Sequence, residues 1–153
     1  MISSRVRFFY EVNYMNNDIE KVLEKDLKKA IKCGEVPVAA AIVFNNKIIS
    51  HSYNRRVSSK DVTAHAEVIA IKKAARKLGD WRLSECDLYV TLEPCFMCKE
   101  IIKESRIKNV FYYVPRSQSK KGFYKTEFKF LNNHYYDTFQ HFLSSFFKDN
   151  GNR

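Results

Sequence analysis

Ile19, Val22, Leu23, Leu27, Ala30 and Ile31 recur at the spacing of one helix face. Asn17, followed three residues later by Glu20, has the form of an N-cap with its capping-box partner. Gly34 is the residue on which such a helix stops. Val38 to Phe44 then reads as a buried strand, Asn45-Asn46 as a tight turn that tolerates positive φ, and Lys47 to Tyr53 as the returning strand of a hairpin. Asn54 to Asp61 is a polar loop carrying Arg55, Arg56 and Lys60, after which Thr63 is placed to cap a second helix running through Leu78 to a stop at Gly79.

Asp87 to Thr91 has the length and composition of a short strand, and Pro94 stands where proline is tolerated, in the first turn of a helix reaching about Glu104. Asn109 to Val114 is a further strand, followed by a basic loop with Arg116, Lys120, Lys121 and Lys125. Phe139, Phe142, Leu143, Phe146 and Phe147 mark one face of a terminal helix that ends before Gly151. The predicted order is αββαβαβ and then a helix, an α/β pattern whose natural architecture is a mixed sheet sandwiched by helices. Residues before Asn16 show no clear period, so 1–15 are expected to form an irregular N-terminal extension, with Met15 a second candidate start.

Length and composition narrow the class. A chain of 153 residues has the size of a single domain, and 45% hydrophobic with 14% aromatic residues is too apolar for a disordered segment. The longest apolar run, Val36 to Phe44, contains Pro37 and is less than half of the ~20 residues a membrane helix needs. No apolar stretch near Arg5 and Arg7 is long enough for a signal peptide, so a soluble cytoplasmic protein is expected. In that compartment the four cysteines are expected as thiols or metal ligands rather than disulfides, with Cys33 and Cys86 as small buried apolar residues. Lys and Arg number 27 against 17 acidic residues, a formal charge of +10 that makes nucleic acid the leading partner class. A solubility charge or a lysine-rich codon bias would give the same count. His51, His134 and His141 lack partners at ligand spacing, and Trp81 with Arg82 could stack on a base or simply pack.

The chemistry concentrates in two half-motifs. His65-Ala66-Glu67 opens one helix and Pro94-Cys95-Phe96-Met97-Cys98 opens another, the H-x-E and P-C-x-x-C pattern of zinc nucleobase deaminases. A lone Cys-x-x-Cys could be a redox pair or half of a zinc ribbon, but neither Cys33 nor Cys86 supplies the ribbon's second pair. Cysteines three apart share a helix face, and a helix N-terminus favours the thiolate that ligates zinc. With His65 they make three protein ligands, which leaves the fourth tetrahedral position for water, as in catalytic rather than structural zinc sites. Glu67 lies two residues from His65, too few for both to share one helix face, so it is better placed to reach that water than the metal. It is the expected proton shuttle. A carboxylate that only compensates the dipole of a first helical turn is the alternative reading.

These residues resemble the bacterial tRNA adenosine deaminases of the cytidine deaminase superfamily. The resemblance extends through Glu35-Val36-Pro37-Val38, Tyr53-Asn54-Arg55, Thr63 to Glu67, Leu88 to Cys95, Met97-Cys98 and Ser105-Arg106-Ile107. It implies a homodimer of three-layer cytidine-deaminase fold, with one zinc per subunit on His65, Cys95 and Cys98, that converts adenosine to inosine at the wobble position of a tRNA anticodon. Asn54 would then contact the target nucleoside and the backbone of Glu35 and Val36 would line its pocket; a loop asparagine bonding its own backbone is the alternative. The chain departs from the family after Val114, where an acidic residue and a Gly/Ala-rich stretch are usual and Pro115-Arg116-Ser117-Gln118-Ser119-Lys120-Lys121-Gly122 stands instead. Phe96 is also bulkier than the family's residue there, and the segment before the last helix looks shortened. Two rival functions share the motifs: a deaminase of free guanine, cytosine or a nucleoside, and a non-catalytic, zinc-stabilised RNA-binding module for which Glu67 is dispensable.

Overall fold

A computed structural model describes residues 4–117 and 126–150, with side chains from Asp18 onward. The basic-loop residues Lys120, Lys121 and Lys125 lie outside the described residues.

The first helix, α1, spans Ser4–Lys32 and begins well before Asn17, through the segment expected to be irregular. An asparagine inside a helix costs under about 0.7 kcal/mol, less than starting a new helical nucleus, so the helix runs through Asn16 and Asn17 rather than starting there. Glu20 is instead buried, accepting a hydrogen bond from Asn133 Nδ2 at 3.2 Å. The helix stops at Gly34, whose φ of +69° is the left-handed conformation glycine adopts freely. Cys33, expected to be buried, is exposed, because it follows the last helical residue on the solvent side.

The hairpin forms as the pattern predicts. Strand β1, Ala39–Phe44, turns through Asn45 and Asn46, both at positive φ, into β2, Lys47–Tyr53. A register shift between Ile42 and Val43 marks a bulge in the pair. A one-turn helix α2, Arg56–Ser59, interrupts the loop that follows. Then come α3, Ala66–Leu78; β3, Cys86–Leu92; α4, Phe96–Glu104; β4, Asn109–Val114; β5, Glu127–Phe130; and α5, Tyr135–Asn150.

The five strands form one mixed sheet in the order β2-β1-β3-β4-β5, antiparallel at β2/β1 and β1/β3 and parallel at β3/β4 and β4/β5. Helices α3 and α4 make one covering layer, and α1 with α5 makes the other. Strand β1 is therefore buried on both faces: Ala39 to Ile42 have no exposed surface, and small alanines let helices approach closely. Ile19, Leu23 and Leu27 of α1 meet Ile42, Leu88, Val90 and Val110 in the core, each worth about 1.5–3 kcal/mol of burial. Tyr113 and Phe139 lock α5 onto β4 with rings edge to face at 4.9 Å. Strand β5 was not foreseen; its four residues alternate Phe128 and Phe130 with charged neighbours, too briefly for a period to register.

Candidate active site

The N-termini of α3 and α4 point to one place. His65 rather than Thr63 is the N-cap of α3, with φ −75° and ψ 151°. Asp61 takes Thr63 away: its Oδ1 accepts the Thr63 amide at 2.8 Å and hydroxyl at 2.7 Å, two bonds that also hold the Asp61 carboxyl below its ordinary range. Cys95 is the N-cap of α4, so Pro94 sits just ahead of the helix and not in its first turn. Neither His65 nor Cys95 uses its side chain to cap. Both side chains turn toward each other instead.

His65 Nδ1 lies 3.8 Å from Cys95 Sγ and 3.5 Å from Cys98 Sγ, and all three ligand atoms fall within 4.8 Å of one another. A tetrahedral zinc with bonds of about 2.3 Å to sulfur and about 2.0–2.1 Å to nitrogen places those atoms roughly 3.5 Å apart. The three side chains thus fit the metal without rearrangement. The Cys95 thiol is held down to about 3 by its hydrogen bond with Cys98, whose own thiol is pushed up by that bond and by burial.

Glu67 stands in the first turn of α3, buried, with burial pushing its carboxyl above the usual range against the opposing pull of its own amide, His65 and Arg116. Its Oε2 is buried and accepts no hydrogen bond. An orphaned carboxylate oxygen is costly, about 1–3 kcal/mol or more. Beside a three-ligand metal group, it is the arrangement expected of a carboxyl that bonds a proton-bearing species at the fourth position.

Asn54 ties this corner together. Its Oδ1 accepts the Ala66 amide at 2.9 Å, satisfying a donor of the first turn of α3, and its Nδ2 donates to the Val36 carbonyl at 3.2 Å. Glu35, buried, accepts the Val57 and Ser58 amides at 3.2 and 2.7 Å and so caps α2, a role that Arg55 does not fill. Glu35, Val36 and Asn54 line one side of a cavity of about 450 Å³, with Val57, Val62 and Phe147 among the other walls. Cys95, Phe96, Arg116 and Phe147 line a second of about 630 Å³. Phe147 borders both cavities and is 44% exposed, although its helical spacing reads as core.

Sequence reasoning missed the brace behind the cysteines. Glu93 and Lys99 are both buried and paired at 2.7 Å, and Lys99 Nζ also stands 5.3 Å from the Phe128 ring. Arg116 joins them: its amide donates to Glu93 Oε2 at 3.1 Å and its Nε to the Glu93 carbonyl at 2.6 Å. The only local signal is an acidic and a basic residue flanking the P-C-x-x-C motif, which does not reveal burial. Trp81, considered as a base-stacking residue, is exposed between Arg82 and Arg106 beyond the C-terminal end of α3, roughly 20 Å along that helix from His65.

The family profile of the cytidine and deoxycytidylate deaminase zinc-binding region matches residues 16–114. A tRNA-specific adenosine deaminase of Aquifex aeolicus (strain VF5) is 49% identical over 92 residues, 60% of this chain but only 61% of the relative's own length. A structure solved in biochemical and structural studies of A-to-I editing by tRNA:A34 deaminases at the wobble position of transfer RNA is 31% identical, with a TM-score of 0.69 over 76% of this chain and 98% of that one. The X-ray structure of guanine deaminase from Bacillus subtilis is 38% identical, with a TM-score of 0.61 over 65% of this chain and 64% of that one. With the H-x-E and P-C-x-x-C halves brought together at two helix N-termini, the chain belongs to the cytidine and deoxycytidylate deaminase zinc-binding family.

Proposed function

We propose that this protein is a zinc-dependent hydrolase that deaminates adenosine to inosine at the wobble position of a tRNA anticodon. The observation that carries the chemistry is the buried, unpartnered Oε2 of Glu67 beside the group of His65, Cys95 and Cys98. Zinc on those three ligands supplies the Lewis acidity that brings a water's pKa down to about 7. Glu67 takes the proton from the attacking water, delivers it to the ring nitrogen, and then moves a proton to the departing amine, so that adenosine and water become inosine and ammonia. Burial raises the Glu67 carboxyl, the direction that suits a group which must both take up and give back a proton.

Similarity to the Aquifex enzyme supports the RNA substrate, as does the formal charge of +10. Asn54 contacts the target nucleoside in this reading: its amide keeps a second Nδ2 hydrogen and a second Oδ1 lone pair beyond the bonds to Val36 and Ala66. The backbone of Glu35 and Val36 forms the pocket wall. Val57, Val62 and Phe96, each more than 60% exposed around the two cavities, suit contact with unstacked bases or a second copy, and the functional unit is a homodimer in the cytoplasm.

Deamination of a free base is the second reading, favoured by the 38% identity to guanine deaminase. Offering the purified protein an A34-containing tRNA, adenosine, cytidine and guanine side by side, with and without chelator, separates the two. Inosine in the tRNA, lost on chelation, is expected. Ammonia from a free base alone would replace the proposal with the second reading.

A further inference from the structure

Arg116 stands beside the cysteine half of the metal group. It lies two residues beyond the end of β4, half-buried, and lines the cavity of about 630 Å³ that Cys95 and Phe96 also border. Its backbone and Nε are fixed by Glu93, two residues before Cys95, through the bonds at 3.1 and 2.6 Å. Lys99, one residue after Cys98, holds the other Glu93 oxygen at 2.7 Å. The guanidinium is therefore anchored to the same loop that carries the metal ligands. Among the described residues it has no carboxylate within ion-pair distance, and its two Nη nitrogens make no hydrogen bond. Its charge nevertheless reaches the buried carboxyl of Glu67.

An anchored guanidinium that lines a cavity and, among the described residues, has no carboxylate within ion-pair distance is a site for an anion. In adenosine the ribose, on N9, lies on the side of the purine opposite the C6 that is attacked. The anion that follows the ribose in a strand is a phosphodiester. We infer that Arg116 binds a backbone phosphate adjoining the target nucleoside, and so makes the site select a nucleotide within a strand over the free nucleoside or base. This inference rests on the RNA reading of the substrate and adds the residue that enforces it.

The test uses the full-length zinc-loaded protein and an anticodon stem-loop whose phosphates on the two sides of the target adenosine are replaced, one at a time, by neutral methylphosphonates. Wild type should lose roughly 10- to 100-fold in kcat/KM on one of the two neutral linkages, the range expected of a hydrogen bond to a charged group. Arg116→Gln should lose a similar factor on the unmodified stem-loop and nothing further on that neutral linkage. The slope of log(kcat/KM) against log salt should flatten by about 0.7, the value for one phosphate of a single strand. Arg116→Lys should recover part of the loss. Zinc content and melting temperature, measured in parallel, separate a disturbed Glu93 anchor from a lost ligand contact. Equal sensitivity of wild type and Arg116→Gln to both neutral linkages overturns the inference while leaving the RNA reading standing. A wild type inactive on every stem-loop but active on a free base overturns both.

Discussion

The side-chain oxygen of Asn54 accepts the backbone amide of Ala66 at 2.9 Å, so the residue that leaves β2 also fixes the first turn of the helix that presents His65 and Glu67. A single amide thereby links the end of α1, through Val36, the hairpin and the metal group.

Replacing Asn54 with Ala removes a cap-like acceptor and strands the Ala66 amide, and it should cost about 1–2 kcal/mol in urea denaturation. Asn54→Asp keeps the acceptor for Ala66 and loses the donor to Val36, so it should retain more stability than Asn54→Ala. Equal loss in the two variants would show that the Ala66 bond is not the one that matters.

Cys98, in the first turn of α4, is buried, and Cys95, its N-cap, is half-buried. Cys98→Ala should reduce bound zinc from one per chain to near zero by elemental analysis. Its melting temperature should become insensitive to chelator, whereas the wild type's should fall, because a metal that binds only the folded state stabilises it. Retention of stoichiometric zinc would remove Cys98 from the ligand set.

The buried pair of Glu93 and Lys99 makes a sharper energetic prediction. Lys99→Met removes the ammonium paired with the buried Glu93 carboxylate and should cost up to about 3–5 kcal/mol, whereas Lys99→Met combined with Glu93→Gln should cost much less, since a neutral pair needs no counter-charge. Equilibrium denaturation of Lys99→Met, Glu93→Gln and the double variant closes the cycle. Strict additivity would mean that the ion pair contributes nothing.

Much of this site is legible in the sequence because its chemistry depends on local spacing. His65, Glu67, Cys95 and Cys98 announce themselves by residue type and offset, and the structure brings His65, Cys95 and Cys98 within 4.8 Å of one another. The hairpin is equally readable, since Asn45 and Asn46 can take the positive φ the turn demands. What escapes depends on distant partners. Lys99 looks like a solvated helix residue until Glu93 and Phe128 surround it, and Thr63 looks like a cap until Asp61 takes its hydroxyl. Asn17 looks like a helix start because its local cost, and not the helix continuing through it, is what a short window sees.

Glu20 carries a pH signature of its own. Burial raises its carboxyl above 4.5, against the pull of the neighbouring Tyr113 hydroxyl and the hydrogen bond from Asn133. A raised folded-state value means that the native protein binds the proton more tightly, so the contribution is present in full below about 4.5 and is lost as pH rises through the folded value. Glu20→Gln should therefore be more stable than wild type near pH 7, with the difference shrinking toward pH 4.5, in denaturation curves collected across that range. A constant difference would contradict the assignment.

The central claim is that Glu67 moves the protons while His65, Cys95 and Cys98 hold the zinc, and inosine formation in an A34 anticodon stem-loop by zinc-loaded wild type and Glu67→Ala tests it most directly. The account predicts that Glu67→Ala keeps one zinc per chain and its affinity for the stem-loop within a few-fold but loses at least about 10²–10⁴ in turnover. A Glu67→Ala protein that binds zinc and forms inosine at the wild-type rate would contradict it.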